Sequence, residues 1–273
     1  MRPIGELPAA VARDLLGVFT DIDDTLTTDG RLPAASYAAL EQLAEAGLAV
    51  VPITGRPAGW CDMIARFWPV AGVVGENGAF YFAYDHHARK MIRRFMASAE
   101  ERRQNRRRLD ILAGSIVAAV PGCAVSADQL YREADLAIDF REDVEPLPPT
   151  AVARIVAAFE AEGATAKVSS IHVNGWFGAY DKLTMTRRFV AERLGLDLEA
   201  VQQRFAFCGD SPNDAPMFAF FANACGVANI HDFAGRLPAS PAYVTEARGA
   251  AGFVELAAHI LWARDAAGRG EPK

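Results

Sequence analysis

Short apolar runs that end abruptly in polar clusters mark both ends of the chain. Leu15, Leu16, Gly17, Val18 and Phe19 give way to Thr20, Asp21, Ile22, Asp23, Asp24 and Thr25. Leu48 to Ile53 ends in Thr54, Gly55 and Arg56, Val70 to Val74 in Gly75, Glu76 and Asn77, and Phe205 to Cys208 in Gly209, Asp210 and Ser211. A weaker run covers Ala224 to Ala228. Continuous runs this short predict strands buried on both faces. Between them, Ala35 to Ala46 places Tyr37, Leu40, Leu43 and Ala44 at helical spacing and stops at Gly47, and Lys182 to Leu194 stops at Gly195 in the same way. Strands alternating with helices predict an α/β fold built on an open, doubly wound parallel sheet. Its ligand crevice lies beyond the carboxyl ends of the strands, so the polar clusters should converge.

The middle of the chain follows another pattern. From about Tyr84 to Ala179 it reads as a basic helical stretch, a strand at Leu136 to Asp139 and a break at Pro146, Pro148 and Pro149. A helix at Ala151 to Glu162 and short strands around Ala166 to Val168 and Ile171 to Val173 follow. Such an order predicts a separate α+β unit inserted into the sheet domain. The expected division is a first core half at 1–83, an inserted unit at 84–179 and a second core half at 180–273.

Composition narrows the class without choosing a function. The 273 residues are 51% hydrophobic and 23% charged, which excludes disordered, collagen-like and coiled-coil chains. A formal charge of -6 argues against a polyanion binder driven by global charge, so no nucleic-acid partner is expected. Four cysteines, Cys61, Cys123, Cys208 and Cys225, are too few for a disulfide framework and are expected as reduced thiols. No apolar stretch reaches the length of a membrane-spanning helix, and Glu6, Arg13 and Asp14 interrupt any secretory signal, so a cytoplasmic protein with no membrane partner is expected. The oligomeric state is left open.

Chemistry concentrates in the polar clusters. Asp21 and Asp23 stand two residues apart at one strand mouth, and Asp210 and Asp214 at another. Carboxylates gathered at one sheet edge repel one another, and a hard divalent cation would relieve that repulsion. Oxygen donors without His or Cys favour Mg²⁺ over zinc. An isolated Asp in such a place is usually a helix cap or turn residue, but several polar clusters after several apolar runs are not explained that way.

With these motifs in view, the sequence resembles the haloacid dehalogenase (HAD) superfamily. The resemblance rests on Asp21-Ile22-Asp23-Asp24-Thr25-Leu26, Thr54-Gly55-Arg56, Lys182 and Gly209-Asp210-Ser211-Pro212-Asn213-Asp214. The long insertion after the second motif and the segment Gly75-Glu76-Asn77-Gly78-Ala79 resemble subfamily IIB. That subgroup includes the Cof, sucrose-phosphate, trehalose-phosphate and mannosyl-3-phosphoglycerate phosphatases. The resemblance implies a Rossmann-like HAD core with a C2-type α+β cap, and Mg²⁺-dependent hydrolysis of a sugar phosphate or glycosyl-acid phosphate.

It also implies a role for each matched residue. Asp21 would be the nucleophile that forms an aspartyl-phosphate, and Asp23 the general acid and base. Mg²⁺ would be held by Asp21, the Asp23 carbonyl and Asp210, with Asn213 and Asp214 around it. Thr54, Gly55 and Lys182 would bind the phosphoryl group, and Thr25 would order the first loop. Two positions depart from the family pattern: Asp24 stands where Gly is frequent, and Leu183 follows Lys182 where Gly is common. The alternatives are a phosphomutase or phosphotransferase, and a catalytically silent binding or regulatory protein.

Two further segments carry weaker signals. The arginine-rich stretch from Arg89 to Arg108 reads chiefly as a solvated cap helix, with one or two arginines available to a phosphorylated substrate. Ser169, Ser170, His172, Asn174 and Trp176 alternate on a predicted strand, so Ser170, His172 and Asn174 are candidate substrate contacts and Trp176 a candidate sugar platform.

Overall fold

A computed structural model describes residues 1–268; the last five residues of the expected second core half, 269–273, lie outside the described residues. In chain order the strands are β1 (Arg2–Pro3), β2 (Gly17–Thr20), β3 (Ala49–Pro52), β4 (Val73–Gly75), β5 (Phe80–Asp85), β6 (Lys90–Phe95) and β7 (Ala124–Val125). They continue with β8 (Leu136–Asp139), β9 (Thr165–Val168), β10 (His172–Trp176), β11 (Phe205–Gly209), β12 (Asn223–Gly226) and β13 (Tyr243–Val244).

Six strands in the order β1-β13-β12-β11-β2-β3 form one wholly parallel sheet. The chain is therefore α/β, with the doubly wound sheet that the apolar runs predict. Helices Ala34–Glu45 and Ala58–Phe67 pack on one face through Leu40, Leu43, Cys61 and Ile64, together with Phe253, Leu256 and Ile260 of the helix Gly249–Gly268. Helices Lys182–Phe189 and Ala215–Phe220 cover the other face through Met185, Phe189, Met217 and Phe218. Each fully buried side chain of this size contributes roughly 1.5–3 kcal/mol, so both faces are firmly held.

The short sheet β4-β5-β6 is antiparallel and joins the main sheet through a parallel bridge between Ile53 and Val74. It corrects one expectation. Lys90–Phe95, read from sequence as the start of a basic helix, is strand β6, paired with β5 from Phe80↔Phe95 to Asp85↔Lys90. An edge strand tolerates charge on its open side, which is why Arg93 and Arg94 fit there. The helix begins only at Ala99, behind a capping box of Ser98 and Glu101, and runs to Ala119.

A separate four-stranded antiparallel sheet, β7-β8-β10-β9, carries the helices Ala99–Ala119 and Pro149–Ala161 on one face. Leu109, Leu112, Ile116, Ile138, Ile155, Phe159 and Val173 form its own core. β10 is an inner strand, buried along its whole length.

Candidate active site

β2, β3 and β11 lie side by side, and their carboxyl ends deliver Asp21, Thr54 and Asp210 to one edge of the sheet. The backbone fixes this convergence. Asp21 N–H donates to Cys208 O at 2.9 Å, and Ile53 N–H to Thr20 O at 2.7 Å. Asp24 has φ 58, a left-handed conformation that glycine reaches freely, which accounts for its place in the first loop. Thr25 is fully buried beside it. Gly209 must be glycine, because a Cβ there would lie 2.4 Å from Asp214 Oδ2.

Lys182 ties the cluster together. Its Nζ lies 2.7 Å from Asp21 Oδ1 and 2.8 Å from Asp214 Oδ1, and all three side chains are buried. Asp181 caps the helix that Lys182 begins, and Gly78 lets the two segments meet: at φ 102, its absent Cβ would stand 2.0 Å from Asp181 O. Leu183 after Lys182 is accommodated as a buried helical residue rather than in a loop. Asp214 Oδ2 also accepts Asp210 N–H at 3.1 Å, and Asn213 Oδ1 accepts Ser211 Oγ–H at 2.8 Å.

Asp21, Asp210 and Asp214 offer carboxylate oxygens within 4.8 Å of one another. Burial raises Asp21 to about 7, although Lys182 pulls it down, and burial with the neighbouring carboxylates raises Asp210 well above the usual range. Burial opposes charge on Lys182 as well, yet its two carboxylate partners outweigh that and hold it protonated. Three buried carboxylates face one ammonium, so the cluster is short of positive charge. A hard oxygen-donor set with that deficit fits a divalent cation such as Mg²⁺.

Asp23 is held by Arg56, which sequence reading placed in a motif but gave no role. Arg56 Nε contacts both Asp23 oxygens at 3.0 Å, and its Nη2 donates to Asp23 Oδ1 and to Glu142 Oε1, each at 2.8 Å. Glu142 belongs to the loop after β8, where Asp139 shapes the turn by accepting the N–H groups of Arg141, Glu142 and Asp143. His172 Nε2 lies 2.9 Å from the other Glu142 oxygen. Burial would raise Glu142, but His172 and Arg56 bring it down to about 2.

A second contact between the two sheets passes through Glu76. Its carboxylate accepts N–H groups from Ala58 and Glu133 at 2.9 Å, Ala134 at 2.6 Å and Asp135 at 3.1 Å. Beside it, Arg132 grips Asp128 and Asp135 and donates to Gly55 O at 2.9 Å. Glu76 was visible in sequence in the polar cluster after Val70 to Val74 and in a resemblance motif, with no role given to it; Arg132 and Glu142 had no local signal at all.

These contacts close a cavity of about 20 Å³ lined by Asp21, Asp23, Arg56, His172, Asn174 and Asp210, with Ser170 also on its wall. Gly55 lines it too, while Thr54 sits just behind, its hydroxyl accepting Arg56 N–H at 3.0 Å. Asn174 is partly committed, donating to Asp135 Oδ2 at 3.0 Å. Trp176 does not reach the cavity wall: it is 1% exposed and stacks on Tyr180, so the expected sugar platform is a packing residue. A wider cleft of about 760 Å³ continues outward from Asp210, Ser169 and Ser170, between Phe140 and Leu147 on one side and Phe233 and Arg236 on the other.

Comparison with known proteins bears on the fold. Residues 18–105 match the family described as haloacid dehalogenase-like hydrolase. No curated protein sequence matches the chain significantly. The fold is similar to that of protein 0175 of Thermoplasma acidophilum, at 19% identity and TM-score 0.66, covering 90% of this chain and 98% of that one. It is similar also to the sucrose-phosphatase of Synechocystis sp. PCC6803, solved with sucrose and phosphate, at 18% identity and TM-score 0.61, covering 91% and 98%. The subclass IIB sugar phosphatase BT4131 aligns at 16% identity and TM-score 0.59, covering 89% and 98%. The profile match thus covers residues 18–105, and the similarity to solved structures extends the likeness of fold to about nine-tenths of the chain. Among the described residues, no helix is long and apolar enough to cross a membrane.

Proposed function

We propose that the chain is a Mg²⁺-dependent phosphatase acting on a small phosphate monoester, with a sugar phosphate or glycosyl-acid phosphate as the substrate class. The observation that carries this reading is Lys182, buried between Asp21 and Asp214 beside Asp210 at the mouths of β2 and β11. Neighbours of the same fold that act on sugar phosphates support the substrate class.

In this reading Asp21 attacks phosphorus and becomes an aspartyl-phosphate, splitting one displacement into two. Asp23 protonates the departing oxygen and then takes a proton from the hydrolytic water, while Arg56 fixes its position. Lys182 and Gly55 would meet the transferring phosphoryl oxygens, with Thr54 reaching them only if its hydroxyl turns from Arg56 N–H. Asp21, the Asp23 carbonyl and Asp210 would hold Mg²⁺, with Asn213 and Asp214 orienting that set; the bound cation supplies charge neutralisation between nucleophile and phosphate.

A cavity of about 20 Å³ is too small for a phosphate monoester, so on this reading the two sheets part to admit one from the wider clefts beside Asp23 and Asp210. We place the cap within the expected span 84–179, between core halves 1–83 and 180–273. The hairpin β5–β6, whose Met91 and Phe95 pack on the main core, stays with the core on this reading, so the moving part is the unit from Ala99 to Trp176. Ser170, His172 and Asn174 then meet the leaving group on closure. Phosphate release from a panel of phosphorylated sugars and small hydroxy acids, with Mg²⁺ and with EDTA, tests this. Turnover that needs the cation and ranks sugar phosphates first supports it; cation-independent turnover, or none across the panel, contradicts it.

A further inference from the structure

The first nine residues of the helix Ala99–Ala119 carry Arg102, Arg103, Arg106 and Arg107, and these line a cleft of about 510 Å³ together with Arg132 and Glu133. The cleft is distinct from the catalytic cavity and shares only Arg132 with its wall, whose guanidinium is taken up by Asp128, Asp135 and Gly55. Like charges four residues apart weaken a helix, and 102/106 and 103/107 are two such pairs. Yet the inner two are not splayed into solvent: Arg102 and Arg106 side chains are only 19% and 26% exposed.

Their hydrogen-bonding capacity is incompletely used. Arg106 Nη2 donates to Asp135 O at 2.7 Å, and its Nη1 lies 3.9 Å from Asp110. Arg102 donates Nη1 to Ala97 O at 3.0 Å and lies over the Phe95 ring at 3.6 Å, but its Nε is buried without a partner. The nearest carboxylate, Glu133, stands 3.9 Å away, beyond hydrogen-bond reach. Arg103 pairs with exposed Glu100 at the rim, and Arg107 is exposed beside it.

We propose that this cleft is a second anion site, taking a compact, soluble, multivalent phosphate of the pyrophosphate class. Guanidinium forks match phosphate oxygens in pairs, and four of them call for more than one phosphate group. A single-stranded nucleic acid is a poorer fit, because the nearby aromatic, Phe95, is covered by Arg102 and offers no stacking face. The bound anion lies over Glu133–Asp135, whose N–H groups hold Glu76, and so stiffens the docking of the cap.

Calorimetric titration of the full chain with inorganic pyrophosphate in EDTA tests the site. One saturable event is expected, weakened roughly ten- to hundredfold in the Arg103→Gln/Arg107→Gln double variant. Glu133→Gln, which removes a competing carboxylate from Arg102, should tighten it. Phosphatase turnover of the double variant without pyrophosphate should equal wild type, since neither side chain lines the catalytic cavity. Binding that ignores both variants places the anion elsewhere and overturns the proposal. So does no saturable binding at low salt, and so does binding to anionic-lipid vesicles without binding to pyrophosphate.

Discussion

Glu142→Gln keeps the size of the side chain and removes the charge that joins it to Arg56 beside His172. The folded protein holds Glu142 at about 2 against an ordinary 4.5, which unscreened corresponds to about 3 kcal/mol. The carboxylate is 29% exposed, so solvent screening reduces this to roughly 1–2 kcal/mol. Loss of that energy shifts the balance between docked and open cap by about 5- to 30-fold. Hydrogen exchange reads it directly, because the amides of Glu133, Ala134 and Asp135 are protected by Glu76 only while the cap is docked. In the variant those amides should exchange faster by the same factor, while Phe205–Gly209 in the core sheet and Leu109–Leu112 in the cap core keep wild-type protection. Unchanged exchange at 133–135 would refute a docking role for Glu142. A uniform rise across the cap core would refute it too, by showing global loosening in place of local opening.

Three more outcomes follow from the same contacts. Because Glu142 is depressed from 4.5 to about 2, its stabilisation is complete above pH 4.5 and is lost as pH falls toward 2; the excess exchange at 133–135 in Glu142→Gln over wild type should therefore be full above pH 4.5 and vanish as pH falls toward 2. Lys182→Gln leaves Asp21 and Asp214 buried without a cation, and should cost about 3–5 kcal/mol in EDTA by denaturant titration, with partial recovery on adding Mg²⁺. An unchanged midpoint would show that the pair holds nothing together. Gly78→Ala, at φ 102 and with a Cβ 2.0 Å from Asp181 O, should cost at least about 2 kcal/mol and displace Lys182, so stability and turnover fall together.

The core was legible because its physics is local. A strand buried on both faces must be apolar throughout, and a sheet edge that carries chemistry must then turn polar at once, so Asp21, Thr54 and Asp210 announce their own positions. The basic stretch misled because charge alone does not distinguish an edge strand from a helix: Lys90–Phe95 pairs with β5 on one side and keeps its arginines in solvent. β10 misled at Trp176. Its alternation suggests His172, Asn174 and Trp176 on one face toward the core, and His172 and Asn174 do line the cavity, but Trp176 is packed on Tyr180 away from it. Arg132, Glu142 and Glu76 act across the seam between cap and core, from positions far apart in sequence, and no spacing rule could have joined them.

Identifying the group phosphorylated during turnover tests the central claim most directly. The protein would be mixed with its best substrate and Mg²⁺, quenched in acid, digested and read by peptide mass spectrometry. The account predicts phosphate on the peptide carrying Asp21, assigned to that side chain by fragmentation and missing in Asp21→Asn, whose turnover is also lost. Phosphate on another residue, or an Asp21→Asn variant that turns over like wild type, would contradict it.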